Sequence, residues 1–510
     1  MLKIFTGNKV DHPMADAKKA REIIADLPAD PLKALEEITH WLEGLKEVEA
    51  FRLERLFENV DLLDAAAKNH QRKLAQEYFL TSRQQKFQEN RLWTINFAFW
   101  KALCEGYLEC VRRFESGQTG GIAFRKNMAS IVARALRALT LLLKWVLVRY
   151  GPVDPKIWND AGRLLQLAEA SGFLDTQIEI YPGSHGGGTV QREFLKLAML
   201  AVSSTDGLSP VKQEIAERSV ANFSDGFRLS RTPAAGCNYC FDMTSGKPPY
   251  RLVSDQSSKP GVRYFGAGEG MFQLTAVEAK TRETGVLPTG VYIGGDYSKD
   301  LLLPVFRHLM AYWSEEPPAR ANERRKTASR LTVVHGINEL TAALNPGTGD
   351  DLDFSDPESS AESWIVENVS DGGYGAIIPA TRSDWVRVGA LIGLKSEVSQ
   401  HWGIGIVRRV TRDEHQQRRV GIQVLSKVAV PAQVCKSGSY GEGSDPAILL
   451  STSPDAQGEV GVILREGYYN ARDSLDLTVK GKGFLLIPGR LAEGGEDFDW
   501  AMFKVMTRSD

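Results

Sequence analysis

At Pro317-Pro318 the hydrophobic period of this chain changes from that of a helix to that of a strand. Upstream, no proline interrupts Lys33 to Gly151. Leu32, Leu35, Ile38, Leu42 and Leu45 recur there at helical spacing, as do Trp93, Phe97, Trp100, Cys104, Tyr107 and Val111. A helix turns once in about 3.6 residues, so each set makes one apolar stripe that needs a partner. Downstream, Val386, Val388, Ala390 and Ile392 alternate with other residues. Ile404, Ile406 and Val410 lie in another run, and Val420 to Leu425 follows the polar turn Thr411 to Gln417. Strand side chains alternate between faces, so these runs predict an antiparallel meander. Further runs at Ala447 to Leu450, Val460 to Arg465, Leu475 to Val479 and Phe484 to Pro488 extend it.

Between the two regimes the text is mixed. Ser209-Pro210 supplies an N-cap and first-turn pair for a helix through Ala221, whereas Tyr250 to Val253 and Val262 to Phe265 read as short strands. Leu301 to Trp313 reads as a last helix, ended by Glu315-Glu316-Pro317-Pro318 because the residue before proline leaves the helical region. The expected fold class is therefore multidomain α+β. A helical bundle spans 1–175, a mixed α/β domain 176–316, an antiparallel β-barrel 317–435 and a β extension 436–510. A chain of 510 residues has room for about three domains of ordinary size.

Charge and cysteine usage narrow the function class. With 62 basic against 64 acidic side chains and a net charge of -2, the chain lacks the overall basicity of a DNA- or RNA-binding protein, so any anion site is local. Five cysteines do not read as a disulfide framework, and Met1 to Phe5 lacks a signal-peptide core; a cytoplasmic setting is expected. The most apolar stretch, Ile131 to Tyr150, carries Arg134, Arg137, Lys144 and Arg149, which predicts a core helix and no direct membrane insertion.

The most informative local text follows the proline pair. Pro317 to Arg330 is a basic arm, with Arg324, Arg325, Lys326 and Arg330, that runs into a strand from Leu331 to Val334. After an acidic insertion, the strand Trp364 to Glu367 leads to Asn368-Val369-Ser370-Asp371-Gly372-Gly373, an N-x-S-x-x-G motif. The order of arm, motif and β-meander from about Arg324 to Lys427 resembles the PilZ domain. The resemblance implies a PilZ-like barrel and a bacterial receptor for cyclic di-GMP. It also implies a ligand site made of Arg324, Arg325, Lys326, Arg330, Asn368, Ser370 and Gly373, with no further cofactor.

The residue chemistry suits that ligand. Arginine can hydrogen-bond phosphate or guanine O6 and N7 in bidentate fashion and can stack on a purine. Asn368 and Ser370 offer hydrogen bonds at a strand turn, and Gly373 permits close approach or positive φ. The arm departs from the family pattern R-x-x-x-R: Arg325 to Arg330 holds one residue too many, and the regular spacing starts at Lys326. Either Arg325 serves through a bulged arm, or Lys326 serves as a point charge, or the site is degenerate; lysine does not replace arginine at a bidentate site.

Other motifs carry less. Cys237-Asn238-Tyr239-Cys240 has metal or redox spacing but no second ligand pair, so a structural role is expected. His185-Gly186-Gly187-Gly188 lacks any G-x-S-x-G elbow elsewhere. Gly266 to Gly270 has Met271 where G-x-G-x-x-G needs its third glycine, and Gly294-Gly295-Asp296-Tyr297 is an incomplete likeness of the cyclase GGDEF signature. Asp351, Asp353, Ser355 and Glu362 fall on EF-hand ligand positions without the sixth-position glycine. No catalytic residue or metal ligand emerges, and no enzyme is expected. The acidic residues Asp350, Asp351, Asp353, Asp356 and Glu358 suggest pairing with Arg324, Arg325 and Arg330 before ligand arrives. The expected function is an effector whose barrel senses cyclic di-GMP and passes the event, through domain rearrangement, to an unidentified protein partner. The alternative is a non-binding scaffold whose helical domain docks that partner.

Overall fold

The computed structural model describes residues 10–81, 85–118, 120–181, 187–252, 258–316, 318, 323–344, 361–379, 385–438, 443–479, 481–495 and 497–507. The chain divides into two compact units. The first holds Met1–Arg149, Val153–Thr205 and Pro210–Pro318; the second holds Ala319–Asp510 with the short segments Tyr150–Pro152 and Asp206–Ser209.

The first unit is helical for most of its length. Its helices are α1 (Ala17–Ala25), α2 (Pro31–Glu47), α3 (Leu53–Leu80), α4 (Lys86–Glu115), α5 (Ile122–Arg125), α6 (Met128–Leu147), α7 (Lys156–Ala170), α8 (Val190–Val202) and α9 (Pro210–Phe223). The starts follow local chemistry: Asp30 accepts from Lys33 N at 2.9 Å ahead of Pro31, which capping and a first-turn proline require. The stripe Leu35, Ile38, Leu42 and Leu45 is fully buried, and α2 packs on α3 and α4.

Helix α6 is the centre of this unit, packed on α4 and α8. Its charges are not on a wet face. Arg134 and Lys144 are buried, the first bonded to Asp61 and to Ile180 O (2.8 Å), the second to Glu214 and to Glu217 (2.9 Å). A charge is tolerated in an apolar interior only when matched in this way. Among the described residues no helix is long and apolar enough to cross a membrane.

A small antiparallel sheet follows, in the order β1 (Arg228–Ser230), β4 (Val262–Gly266), β2 (Tyr239–Asp242), β3 (Tyr250–Arg251), with α10 (Glu269–Thr284) and α11 (Lys299–Trp313) after it. The glycine-rich text after β4 does open a helix, but the sheet is antiparallel, so no dinucleotide-binding βαβ unit is present there.

The second unit is two closed barrels. The first contains β5 (Arg325–His335), β6 (Glu362–Ser370), β7 (Gly373–Ile378), β8 (Leu391–Ser396), β9 (Gly403–Arg412) and β10 (Arg418–Ser426), closed in the order β10-β7-β6-β5-β8-β9. Leu331, Val333, Trp364, Val366, Ala376, Ile392, Val407 and Ile422 fill it. The strands beyond it do not extend that sheet. β11 (Val430–Lys436), β12 (Asp445–Leu449), β13 (Glu459–Leu464), β14 (Leu475–Val479), β15 (Lys482–Gly494) and β16 (Asp499–Thr507) close on themselves as β11-β12-β13-β16-β15-β14. Closure removes the open edges that an added sheet would leave. Helix α12 (Gly336–Leu344) joins the two through Ile337 and Leu340, packed with Ile404, Ile448, Ile463 and Phe498.

Candidate functional site

The basic arm is paired backbone from Arg325 onward rather than a free tail. β5 runs antiparallel to β6, with Arg325 opposite Val369, Lys326 opposite Asn368, Ser329 opposite Val366 and Arg330 opposite Ile365. Three residue steps on β5 answer two on β6 between the second and third of these pairs. That is a β-bulge, which absorbs one extra residue and re-aims the side chains beside it. β6 in turn bulges against β7 between Val366 and Asn368. Lys326, Ala328 and Arg330 are exposed while Thr327 and Ser329 are half-buried, so the first three share the outer face. Arg324, just before the strand, and Arg325 are exposed too, but Arg325 stands opposite Val369, whose β7 partner Tyr374 packs against the barrel core.

Two rows of the outer face define the site. One runs Lys326, Asn368, Gly375, Gly421, Arg409 across β5, β6, β7, β10 and β9; the next runs Arg330, Ile365, Ile377, Arg419, Thr411. In the first row the Asn368 amide lies over Gly375, where an added Cβ would come within 2.6 Å of both amide heteroatoms. Glycine at 375 and 421 keeps that row low. In the second row Ile365, 46% exposed, and Ile377 form an apolar ledge beside Arg330. A flat ring can rest on such a ledge without desolvating a polar group.

Asn368 Oδ1 is buried and has no hydrogen-bond partner among the described residues. An orphaned acceptor of this kind costs free energy until a donor reaches it. Ser370 and Gly373 face each other at the β6–β7 hairpin, the Ser370 hydroxyl donating a long bond to Gly373 O at 3.4 Å. Glycine is needed at 373 for close approach rather than for positive φ. A Cβ there would sit 1.9 Å from the Ile422 carbonyl oxygen, and the backbone is not left-handed.

The cations of this face fall into two groups. Arg408 is spent, its fork on both oxygens of Glu493 (2.5 and 2.6 Å) and its Nε on Gln423. Arg409 pairs with Asp206, and Arg419 lies 3.8 Å from Glu367. Arg324, Arg325, Lys326 and Arg330 have no ion pair or hydrogen bond to another side chain among the described residues. The arrangement therefore presents unmatched positive charge, one orphaned acceptor and an apolar ledge on one face. That set suits a ligand with anionic groups, flat rings and N–H donors.

Sequence reasoning reached the arm and the hairpin motif but missed Gly375, Gly421, Ile365 and Ile377. The available signal was Gly373-Tyr374-Gly375, glycines two apart, which in a strand strip one face of side chains. Among the other motifs, Cys237 and Cys240 are buried thiols whose pKa values burial raises, packed with Val262 and Tyr264. No metal-holding group of three His, Cys, Asp or Glu occurs among the described residues. Glu362 accepts from the indoles of Trp364 and Trp385, both at 2.8 Å, and so has a strand role in place of an EF-hand one. His185, Gly186, Asp350, Asp351, Asp353, Ser355, Asp356 and Glu358 lie outside the described residues, and with them the acidic pairing; of the glycine strip, Gly188 bridges to Ile178 and Gly187 O accepts from Arg192 at 3.2 Å.

Two family models match the chain. Residues 18–234 match the N-terminal domain of the cyclic-di-GMP receptor FimW, and residues 352–431 match that receptor's middle PilZ domain. No curated protein matches the chain.

Proposed function

Because the chain belongs to the PilZ-domain cyclic-di-GMP receptors, we propose that it holds the dinucleotide on the outer face of its first barrel, between β5 and the β6–β7 hairpin. Arg330 and Lys326 meet the phosphates, with Arg324 and Arg325 adding charge at the strand's start. Arg330 is also placed to stack or hydrogen-bond a guanine over the Ile365–Ile377 ledge. Asn368 accepts from a guanine N–H, Ser370 donates or accepts at the hairpin, and Gly373 and Gly375 leave room for a base. The observation that carries this reading is the buried, unpartnered Asn368 Oδ1 in line with Lys326, with bare glycine beyond it. A guanine edge offers the donor that this oxygen lacks.

The receptor acts by binding, and the chemistry of the site calls for no catalysis. The effector half of the proposal is that ligation on β5 is passed on by a domain rearrangement to a protein partner. What supports it is that β5, which carries the cations, is the first strand of the second unit. The competing reading is a PilZ-like scaffold that binds no nucleotide, favoured by lysine standing at 326 where a bidentate contact wants arginine. Calorimetric titration of cyclic di-GMP into the full chain separates the two. Saturable binding that Arg330→Ala and Asn368→Ala each weaken by about 1 to 3 kcal/mol supports the receptor site. No heat from a folded sample at modest salt leaves the scaffold.

A further inference from the structure

The helical unit contains a cavity of about 470 Å³, within the usual range for a small-molecule site. Its walls come from α3, α4, α6, α8 and α9, and its charge is out of balance. Lys68 and Arg72 of α3 stand exposed at its edge and Arg137 of α6 is half-buried. None of these three has an ion pair among the described residues. Lys68 and Arg137 lie over the Tyr181 ring, at 5.8 and 5.3 Å from its centroid, which fixes them toward a common space. The other cations on the wall are matched by carboxylates, Lys144 by Glu214 and Glu217 and Arg192 by Asp225. Against the three unmatched cations stands one acid not engaged by an ion pair, Asp64, which accepts from Tyr107 (2.6 Å) and Tyr181 (3.0 Å).

Two further groups point to an occupant. Trp100, on the cavity wall and 6% exposed, has its indole N–H buried without an acceptor among the described residues. Glu193, also on the wall and 0% exposed, gives one oxygen to Lys196 (2.5 Å) while Oε2 is buried without a donor among the described residues. A buried donor and a buried acceptor in the wall of one open cavity, both unmet among the described residues, are costly unless something polar reaches them.

We propose that this cavity binds a small organic phosphate monoester, with the dianionic phosphate held by Lys68, Arg72 and Arg137 and a hydroxyl or amino group of the ester donating to Glu193. Three cations against one acid leave a deficit that a phosphate dianion meets, and arginine forks match its oxygens. The Trp100 N–H gives a further contact to an oxygen of the ligand. The site is separate from the barrel face and stands or falls without it.

The test titrates the full chain, without cyclic di-GMP, with guanosine monophosphate and with glucose 6-phosphate, beside guanosine and glucose. Binding is followed by heat and by melting temperature. The expected result is saturable binding and a raised melting temperature with at least one ester and with neither uncharged parent. Affinity should fall about tenfold or more in Arg137→Gln and in the double variant Lys68→Gln/Arg72→Gln, on the scale of a lost charge-assisted bond. The double variant changes exposed residues, so it reports even where Arg137→Gln fails to fold. No response to either ester, equal response to the parent alcohols, or undiminished affinity in a folded double variant overturns the proposal. Binding of cyclic di-GMP lost in Arg330→Ala while ester binding persists separates the two sites.

Discussion

Lys326 stands directly opposite Asn368 across the β5–β6 ladder, with a bulge of β5 between that pair and Ser329–Val366. The pairing puts a lysine, rather than either neighbouring arginine, in line with the buried amide oxygen of Asn368. Lys326→Ala is therefore expected to weaken cyclic di-GMP binding more than Arg325→Ala does. Lys326→Arg is expected to tighten it by about 1 kcal/mol, since a fork replaces a point charge. Calorimetry on the three variants checks the order; equal losses from the two alanine substitutions would sink the register argument.

Gly373 and Gly375 are two residues apart and should fail differently. Gly375→Ala pushes a methyl to 2.6 Å from the Asn368 amide, a side chain that can turn away, so ligand affinity falls while the fold stays. Gly373→Ala meets the Ile422 carbonyl at 1.9 Å, and backbone must move, so stability falls by about 1 to 3 kcal/mol. Denaturant melts run beside titrations distinguish the two; a Gly375→Ala variant that binds normally would remove the Asn368 orientation from the site.

The four unmatched cations, Arg324, Arg325, Lys326 and Arg330, make ligand binding sensitive to salt, because exposed charges are screened over about 10 Å at 0.1 M ionic strength. Affinity should drop steadily as sodium chloride rises, and the slope should flatten in Arg330→Ala. A slope that is the same in both proteins would argue that Arg330 does not contact phosphate.

The Lys144–Glu214–Glu217 cluster predicts an acid limit for the helical unit. Burial by itself would raise the Glu217 carboxyl, but Lys144 and Arg218 outweigh it and hold the pKa below its ordinary 4.5. A carboxyl depressed in the folded state adds stability that is full above pH about 4.5 and is lost as pH falls through its lower folded value. Lys144→Met should raise that carboxyl and move the acid transition to higher pH, at a cost near neutrality below the about 3 to 5 kcal/mol of a fully broken buried pair, because Arg218 still faces Glu214 (3.0 Å) and Glu217 (3.7 Å). Circular dichroism against pH reads both; an unshifted acid midpoint in Lys144→Met would show that the cluster does not set it.

Much of this architecture is legible in the residues themselves. The apolar stripes of α2 and α4 and the alternation through β9 and β10 require only local periodicity, and each forms where it is written. Asn368, Ser370 and Gly373 fall at one hairpin because a strand turn is a short-range event, and the segment that becomes the first half of β5 carries its cations in plain text. Whether Arg325 or Lys326 answers Asn368 is a matter of pairing between strands separated by the whole acidic insertion, and only the bulged ladder sets that register. The closing of the last strands into a second barrel depends on the meeting of β11 with β14 and of β13 with β16, contacts that no local window contains. Arg134 and Lys144 look in sequence like interruptions of an apolar helix. They are buried because Asp61, Glu214 and Glu217, distant along the chain, are brought to meet them. Sequence determines the stripes, turns and charges, since these follow from neighbours within a few bonds of one another. Register, closure and the matching of buried charge belong to the tertiary structure, because they depend on which distant segments come to share one space.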